Sequence, residues 1–170
     1  NTAAQAIRAL TGLGADLMTL HGSGGSAMLK AAAVAAADEA LRLSVIRPKL
    51  LAVTVLTSID ADEWKKLGHT NSISQSVLTM AGAAKAAGMD GTVSSPHEAA
   101  EIRRLNGPDF LIVTPGIRPS FAQSDDQKRV TTPKEAVQNG ATHLVVGRPI
   151  TKAADPQEAA RAIAEEIREV

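Results

Sequence analysis

Thr132-Pro133-Lys134-Glu135-Ala136-Val137-Gln138-Asn139-Gly140-Ala141-Thr142-His143-Leu144-Val145-Val146-Gly147-Arg148-Pro149 holds one whole structural unit of this chain, read in the order helix, strand, loop. Thr132 offers an N-cap oxygen, Pro133 pre-sets φ at the first helical position, and Glu135, two residues further on, completes a capping box. Gly140 stands where a helix must stop, ready for the left-handed conformation that ends helices at low steric cost. The run from Thr142 to Val146 is short, apolar and partly β-branched, as a strand buried on both faces requires.

The same grammar extends outward in both directions. Ser95-Pro96-His97-Glu98 and Asp155-Pro156-Gln157-Glu158 repeat the helix start, and Asp60-Ala61-Asp62-Glu63 repeats it without proline. Gly14, Gly88, Gly107 and Gly140 each follow a helical stretch and precede an apolar run. The runs are Asp16 to His21, Leu50 to Thr57, Asp90 to Ser94, Asp109 to Thr114 and Thr142 to Val146, which predict five buried strands. No linker interrupts the series, so residues 1–170 are expected to form a single domain. The polar stretch from Pro119 to Val130 predicts a long loop after the fourth strand, of a length that inside compact domains usually serves function.

A repeated βα unit closes into an eight-stranded barrel or opens as a doubly wound sheet. Gly22-Ser23-Gly24-Gly25-Ser26-Ala27 matches a dinucleotide glycine fingerprint, yet the next strand ends Val55-Leu56-Thr57 with no carboxylate to hold a ribose. The α/β barrel, (β/α)8, is therefore the expected fold, with about five of its βα units present. Barrels bind phosphate in the loops after their last two strands, here Thr114 to Pro119 and Val146 to Ile150.

Composition narrows the function. The chain has 170 residues, 18 Lys+Arg against 18 Asp+Glu, 44% apolar residues and no cysteine. That balance gives no basic footprint for nucleic acid, and no apolar run approaches the ~18 residues of a membrane span. Without cysteine there are no disulfides and no thiolate sites, which fits a reducing compartment; a cytoplasmic location is the expectation. No H-E-x-x-H, no His/carboxylate cluster at a strand end and no G-x-S-x-G occurs, so the sequence predicts neither a metal site nor a serine hydrolase. The aromatic residues are Trp64, Phe110 and Phe121 alone, so the core must be small and aliphatic.

Gly147 and Arg148 follow the last strand, where glycine admits an anion close to the backbone and arginine supplies a planar fork of donors; a plain tight turn is the alternative. Arg118 would converge on the same place if the last two strands are neighbours. Gln127 could close over the anion from the long loop or sit exposed on it, while Lys128 and Arg129 read as solvated charges. Thr57 and Ser58 end the second strand and suit recognition of a planar base, the alternative being an N-cap for the next helix, which Ser58 or Asp60 could serve equally well. His21 ends the first strand and is open to a ligand-facing or a structural role. His69, His97 and His143 fall away from the expected mouth. No strand ends in lysine or a carboxylate.

Taken in order, LMTLHGSGG, LLAVTVLTS, DGTVSS, FLIVTPGIRP, DDQKRV, TPKEAVQNGATHLVVGRPIT and ADPQEAA resemble the bacterial orotidine 5′-phosphate decarboxylase family over essentially the whole chain. The resemblance implies a (β/α)8 barrel that converts orotidine 5′-monophosphate to UMP and CO2 without metal or organic cofactor, as a homodimer. It implies that Arg118, Gln127, Gly147 and Arg148 grip the 5′-phosphate, that Thr57 reads the pyrimidine edge and that Pro115 lines the ring pocket. Asn1 and Thr2 match the end of the family's D-x-K-x-x-D-I-P-N-T signature, whose threonine helps bind substrate across the dimer interface. The signature's Asp, Lys and Asp, and the family's further Asp and Lys on earlier strands, have no counterpart here. The expectation is that about three strands precede Asn1 and that no catalytic residue lies within these 170. The alternatives are a related phosphosugar lyase or synthase, which would need a metal-binding carboxylate at a strand end, and an incompetent fragment that only binds phosphate ligands.

Overall fold

A computed structural model describes residues 2–119 and 131–168. Helix α1 (Thr2–Thr11) leads into strand β1 (Leu17–His21), and helix α2 (Ser26–Leu43) into β2 (Lys49–Val53). After a short α3 (Ala61–Lys66) and α4 (Ile73–Ala86) come β3 (Gly91–Val93), α5 (Ala99–Asn106) and β4 (Leu111–Thr114). Then follow α6 (Pro133–Gln138), β5 (His143–Leu144), α7 (Arg148–Thr151) and α8 (Pro156–Arg168).

The strands are parallel and lie in the order β1-β2-β3-β4-β5. This order separates the two candidate folds. A doubly wound sheet reverses direction at a switch point and lists its strands out of sequence. Here every strand pairs with the next in the chain, and right-handed crossovers then place the helices on one face, as in a barrel wall.

Alternation along the strands divides the sheet's faces. Met18, Leu50 and Ala52 pack outward with Ala4, Ile7, Leu29, Ala32, Ala35, Ala36 and Ala84 from α1, α2 and α4. Ile112 packs outward with Val77, Ala81, Ala99, Ile102 and Trp64. Alanine at the helix contacts lets the helices lie close on the sheet, which is how a chain so poor in aromatics still fills its core. The inner face carries His21, Val53, Val93 and Val113 in register across four strands. A side chain at Gly91 would collide with the Leu111 carbonyl, so this position needs glycine for close strand approach.

The helix punctuation forms as read. Asp60 accepts from the Glu63 amide, Thr132 and Glu135 form a reciprocal capping box, and Asp155 accepts from the amides of Gln157 and Glu158. Gly14, Gly88, Gly107 and Gly140 all have positive φ. Ser95 caps a turn of 3₁₀ helix, Pro96–Glu98, rather than opening α5 directly. The strands are shorter than the apolar runs. β2 stops at Val53 because β3 stops opposite it at Val93 and turns away at Ser95-Pro96. β5 is shorter still, although the Thr142 and Val145 amides bond to Ile112 and Thr114 on either side of it.

Candidate functional site

The C-terminal ends of β2, β3 and β4 surround a cavity of about 330 Å³ lined by Val53, Val55, Leu56, Thr57, Ser58, Val93, Ser94 and Pro115. Its walls are mostly aliphatic, with the hydroxyls of Thr57, Ser58 and Ser94 as polar points. That composition suits a flat, weakly polar ring fixed by a few hydrogen bonds. Thr57 and Pro115, both selected from the sequence, meet in this cavity. Thr57 is only 7% exposed and lies in the turn beyond β2 rather than on the strand. Of the two capping candidates, Ser58 and Asp60, it is Asp60 whose carboxylate takes the Glu63 amide, at 2.8 Å.

Beside the cavity, β4 ends at Thr114 and the chain passes through Pro115 and Gly116 to Arg118. The Arg118 amide donates to Thr131 O at 2.9 Å and the Thr131 amide donates to Gly116 O at 3.3 Å. These two bonds close the neck of the segment between them. Arg118 Nη1 donates to Ile117 O at 2.9 Å, whereas its Nη2 is buried and has no hydrogen-bond partner among the described residues. A buried guanidinium nitrogen without an acceptor costs stability, and an acceptor brought by a ligand can satisfy such an atom. The far side of the neck is anchored by Glu135, whose carboxylate accepts from Thr131 Oγ1 at 2.6 Å and from the Thr132 amide and hydroxyl. The Thr131 hydroxyl first, then the Thr132 amide and hydroxyl, hold the Glu135 carboxyl below the usual glutamate range.

β5 lies next to β4, so the loop that carries Gly147 and Arg148 adjoins the one that carries Arg118. Gly147 caps α7, its carbonyl accepting from the Ile150 and Thr151 amides, and the space where a side chain would stand is open. Thr2 is exposed at the start of α1. Because α1 runs back toward the N-terminal end of β1, its first residue lies toward the same end of the sheet as the cavity. His21 is exposed at the end of β1, opposite Val53. Asn1, Gln127, Lys128 and Arg129 lie outside the described residues. Among the described residues no group of three or more His, Asp or Glu is placed to hold a metal ion, and no helix is long and apolar enough to cross a membrane. Ser94, Val93 and Val53 escaped the sequence reading; the only signal for Ser94 was its place at the end of the third apolar run.

Sequential parallel strands, helices on one face and a ligand cavity at the strands' C-terminal ends define an α/β barrel enzyme fold, of which this chain forms a five-strand arc. The chain matches the orotidine 5′-phosphate decarboxylase / HUMPS family over residues 1–163, and it belongs to that family. It is 50% identical over 168 residues to the orotidine 5′-phosphate decarboxylase of Moorella thermoacetica, an alignment spanning 98% of this chain and 67% of that protein. The corresponding enzyme of Trichlorobacter lovleyi is 52% identical over 167 residues, spanning 98% and 68%. Among solved structures, orotidine 5′-phosphate decarboxylase from Lactobacillus acidophilus superposes with a TM-score of 0.83 at 40% identity, covering 98% of this chain and 70% of that one.

Proposed function

We propose that this chain is the substrate-gripping part of an orotidine 5′-phosphate decarboxylase, the lyase that releases CO2 from orotidine 5′-monophosphate to give UMP in pyrimidine biosynthesis. The observation that carries this reading is the buried Nη2 of Arg118, without a partner among the described residues, three positions after the Pro115 that lines a ring-sized cavity with Thr57. Arg118, Gly147 and Arg148, with Gln127, hold the phosphate. Thr57 reads the pyrimidine edge, and Pro115 packs on the ring. Asn1 and Thr2 reach the substrate of a second copy in a homodimer. β1 to β5 end in His21, Val53, Val93, Thr114 and Leu144, none of them a lysine or carboxylate. In this scheme the charges that drive decarboxylation come from residues other than these strand ends.

In this scheme the grip contributes to catalysis at a distance. Binding energy from the phosphate orients the ring and holds the mouth closed, and the reacting carboxylate is then desolvated against the aliphatic cavity wall. The test is a calorimetric titration with UMP, followed by a spectrophotometric turnover assay with orotidine 5′-monophosphate. The 170-residue chain is expected to bind UMP and to show no turnover by itself, and a longer version carrying the family's lysine and aspartates is expected to turn over. Absence of UMP binding to both versions would overturn the proposal.

A further inference from the structure

Thr54 and Ser94 lie at the root of the cavity, 6% and 1% exposed, on neighbouring strand ends. The Thr54 amide donates to Val93 O at 3.0 Å, and Thr54 Oγ1 lies 3.0 Å from Val93 O and 3.1 Å from Ser94 Oγ. The Ser94 amide is fixed in turn by Val113 O at 3.0 Å. Ser94 is thus held from both sides, by β4 through its backbone and by Thr54 through its side chain, while it lines the cavity together with Thr57.

Two hydroxyls carry two protons, and each hydroxyl also accepts. The Thr54 proton serves either Val93 O or Ser94 Oγ. When it goes to Ser94, no described residue takes the Ser94 proton, which is left to the cavity. When Thr54 bonds Val93 O, Ser94 donates to Thr54 and turns lone pairs to the cavity. A pyrimidine edge alternates C=O and N–H groups, so it can satisfy either arrangement.

We infer that Ser94 is a further ring-binding residue, held in place by Thr54 acting as a positioning residue. The inference rests on the decarboxylase reading, in which the cavity takes the pyrimidine. Ser94→Ala removes one neutral hydrogen bond to the ring, an expected loss of about fivefold in UMP affinity. Ribose 5-phosphate, which has the phosphate and sugar without the ring, should bind Ser94→Ala as it binds the unaltered chain. Thr54→Val should show the same ligand-selective loss, smaller in size, and Thr54→Ser should restore it because the hydroxyl remains.

The experiment is a calorimetric titration of the four proteins with UMP and with ribose 5-phosphate, with thermal melting to compare their stability. Equal losses for both ligands would mean a structural role for Ser94, and unchanged UMP affinity would mean that it makes no ring contact; either result overturns this inference alone. Failure of both the unaltered chain and its longer version to bind either ligand would overturn the decarboxylase reading and this inference with it.

Discussion

Replacing Arg118 with methionine should leave the fold standing and remove its ligand, because two opposing terms in the free protein nearly offset. The substitution loses the charge-assisted bond from Nη1 to Ile117 O, worth about 1.5–3 kcal/mol, and also removes the buried Nη2 that has no acceptor among the described residues, a penalty of about 1–3 kcal/mol. The net change is expected within about 1 kcal/mol, or ~2–4 °C in melting temperature for a chain of this size. Binding behaves differently. UMP at one hundred times its Kd stabilises the native state by about 2.7 kcal/mol, raising the melting temperature by ~5–10 °C. Loss of a charge-assisted, partly buried phosphate contact costs about 2–4 kcal/mol, or ~30- to 1,000-fold in affinity. The assay is a melting curve of each protein with and without UMP. The expected pattern is similar ligand-free curves, with the UMP shift reduced to ~3 °C or less in Arg118→Met. If Arg118→Met melts more than about 6 °C lower but keeps its UMP shift, the guanidinium holds the fold together and does not bind the ligand.

Other consequences are open to equally direct checks. Arg103 Nη1 donates to Gly107 O, Pro108 O and Phe110 O at 2.7–2.8 Å, and its Nη2 donates to Gly140 O at 2.9 Å, so one guanidinium ties the end of α5 to the end of α6. Arg103→Met should cost about 2–3 kcal/mol in urea unfolding, since the four bonds share two nitrogens and water replaces some of them; a loss under 0.5 kcal/mol would contradict the clamp. Thr92 is fully buried and its hydroxyl has no partner among the described residues, so Thr92→Val should stabilise the chain by about 1–2 kcal/mol, and a lower melting temperature would show that the hydroxyl is satisfied. Glu135, held below the ordinary glutamate value by Thr131 and Thr132, contributes stability that is fully present above about pH 4.3 and lost as pH falls through its lower folded value. Glu135→Gln should therefore flatten the acid limb of a melting-temperature profile below pH 5, and an unchanged profile would remove that carboxylate from the acid response.

Sequence alone determined the features that depend on neighbours within four residues. Asp60, Thr132 and Asp155 cap helices as read, because a cap joins a side chain to an amide two or three positions on and needs no tertiary partner. Gly140 ends its helix at a φ of 94° for an equally local steric reason. Thr57, Pro115 and Arg118 were legible as strand-end residues, since each follows an apolar run. The tertiary structure decided what depends on strand pairing. The order β1 to β5, which separates a barrel wall from a doubly wound sheet, is a set of contacts between segments tens of residues apart, and both folds share the same local grammar. Thr54 meets Ser94 across 40 residues and Arg103 meets Gly140 across 37, and neither pairing leaves a periodic trace in the chain. The boundary of β2 belongs to the same class: the apolar run continues to Thr57, but the strand ends at Val53, where β3 turns away at Ser95-Pro96.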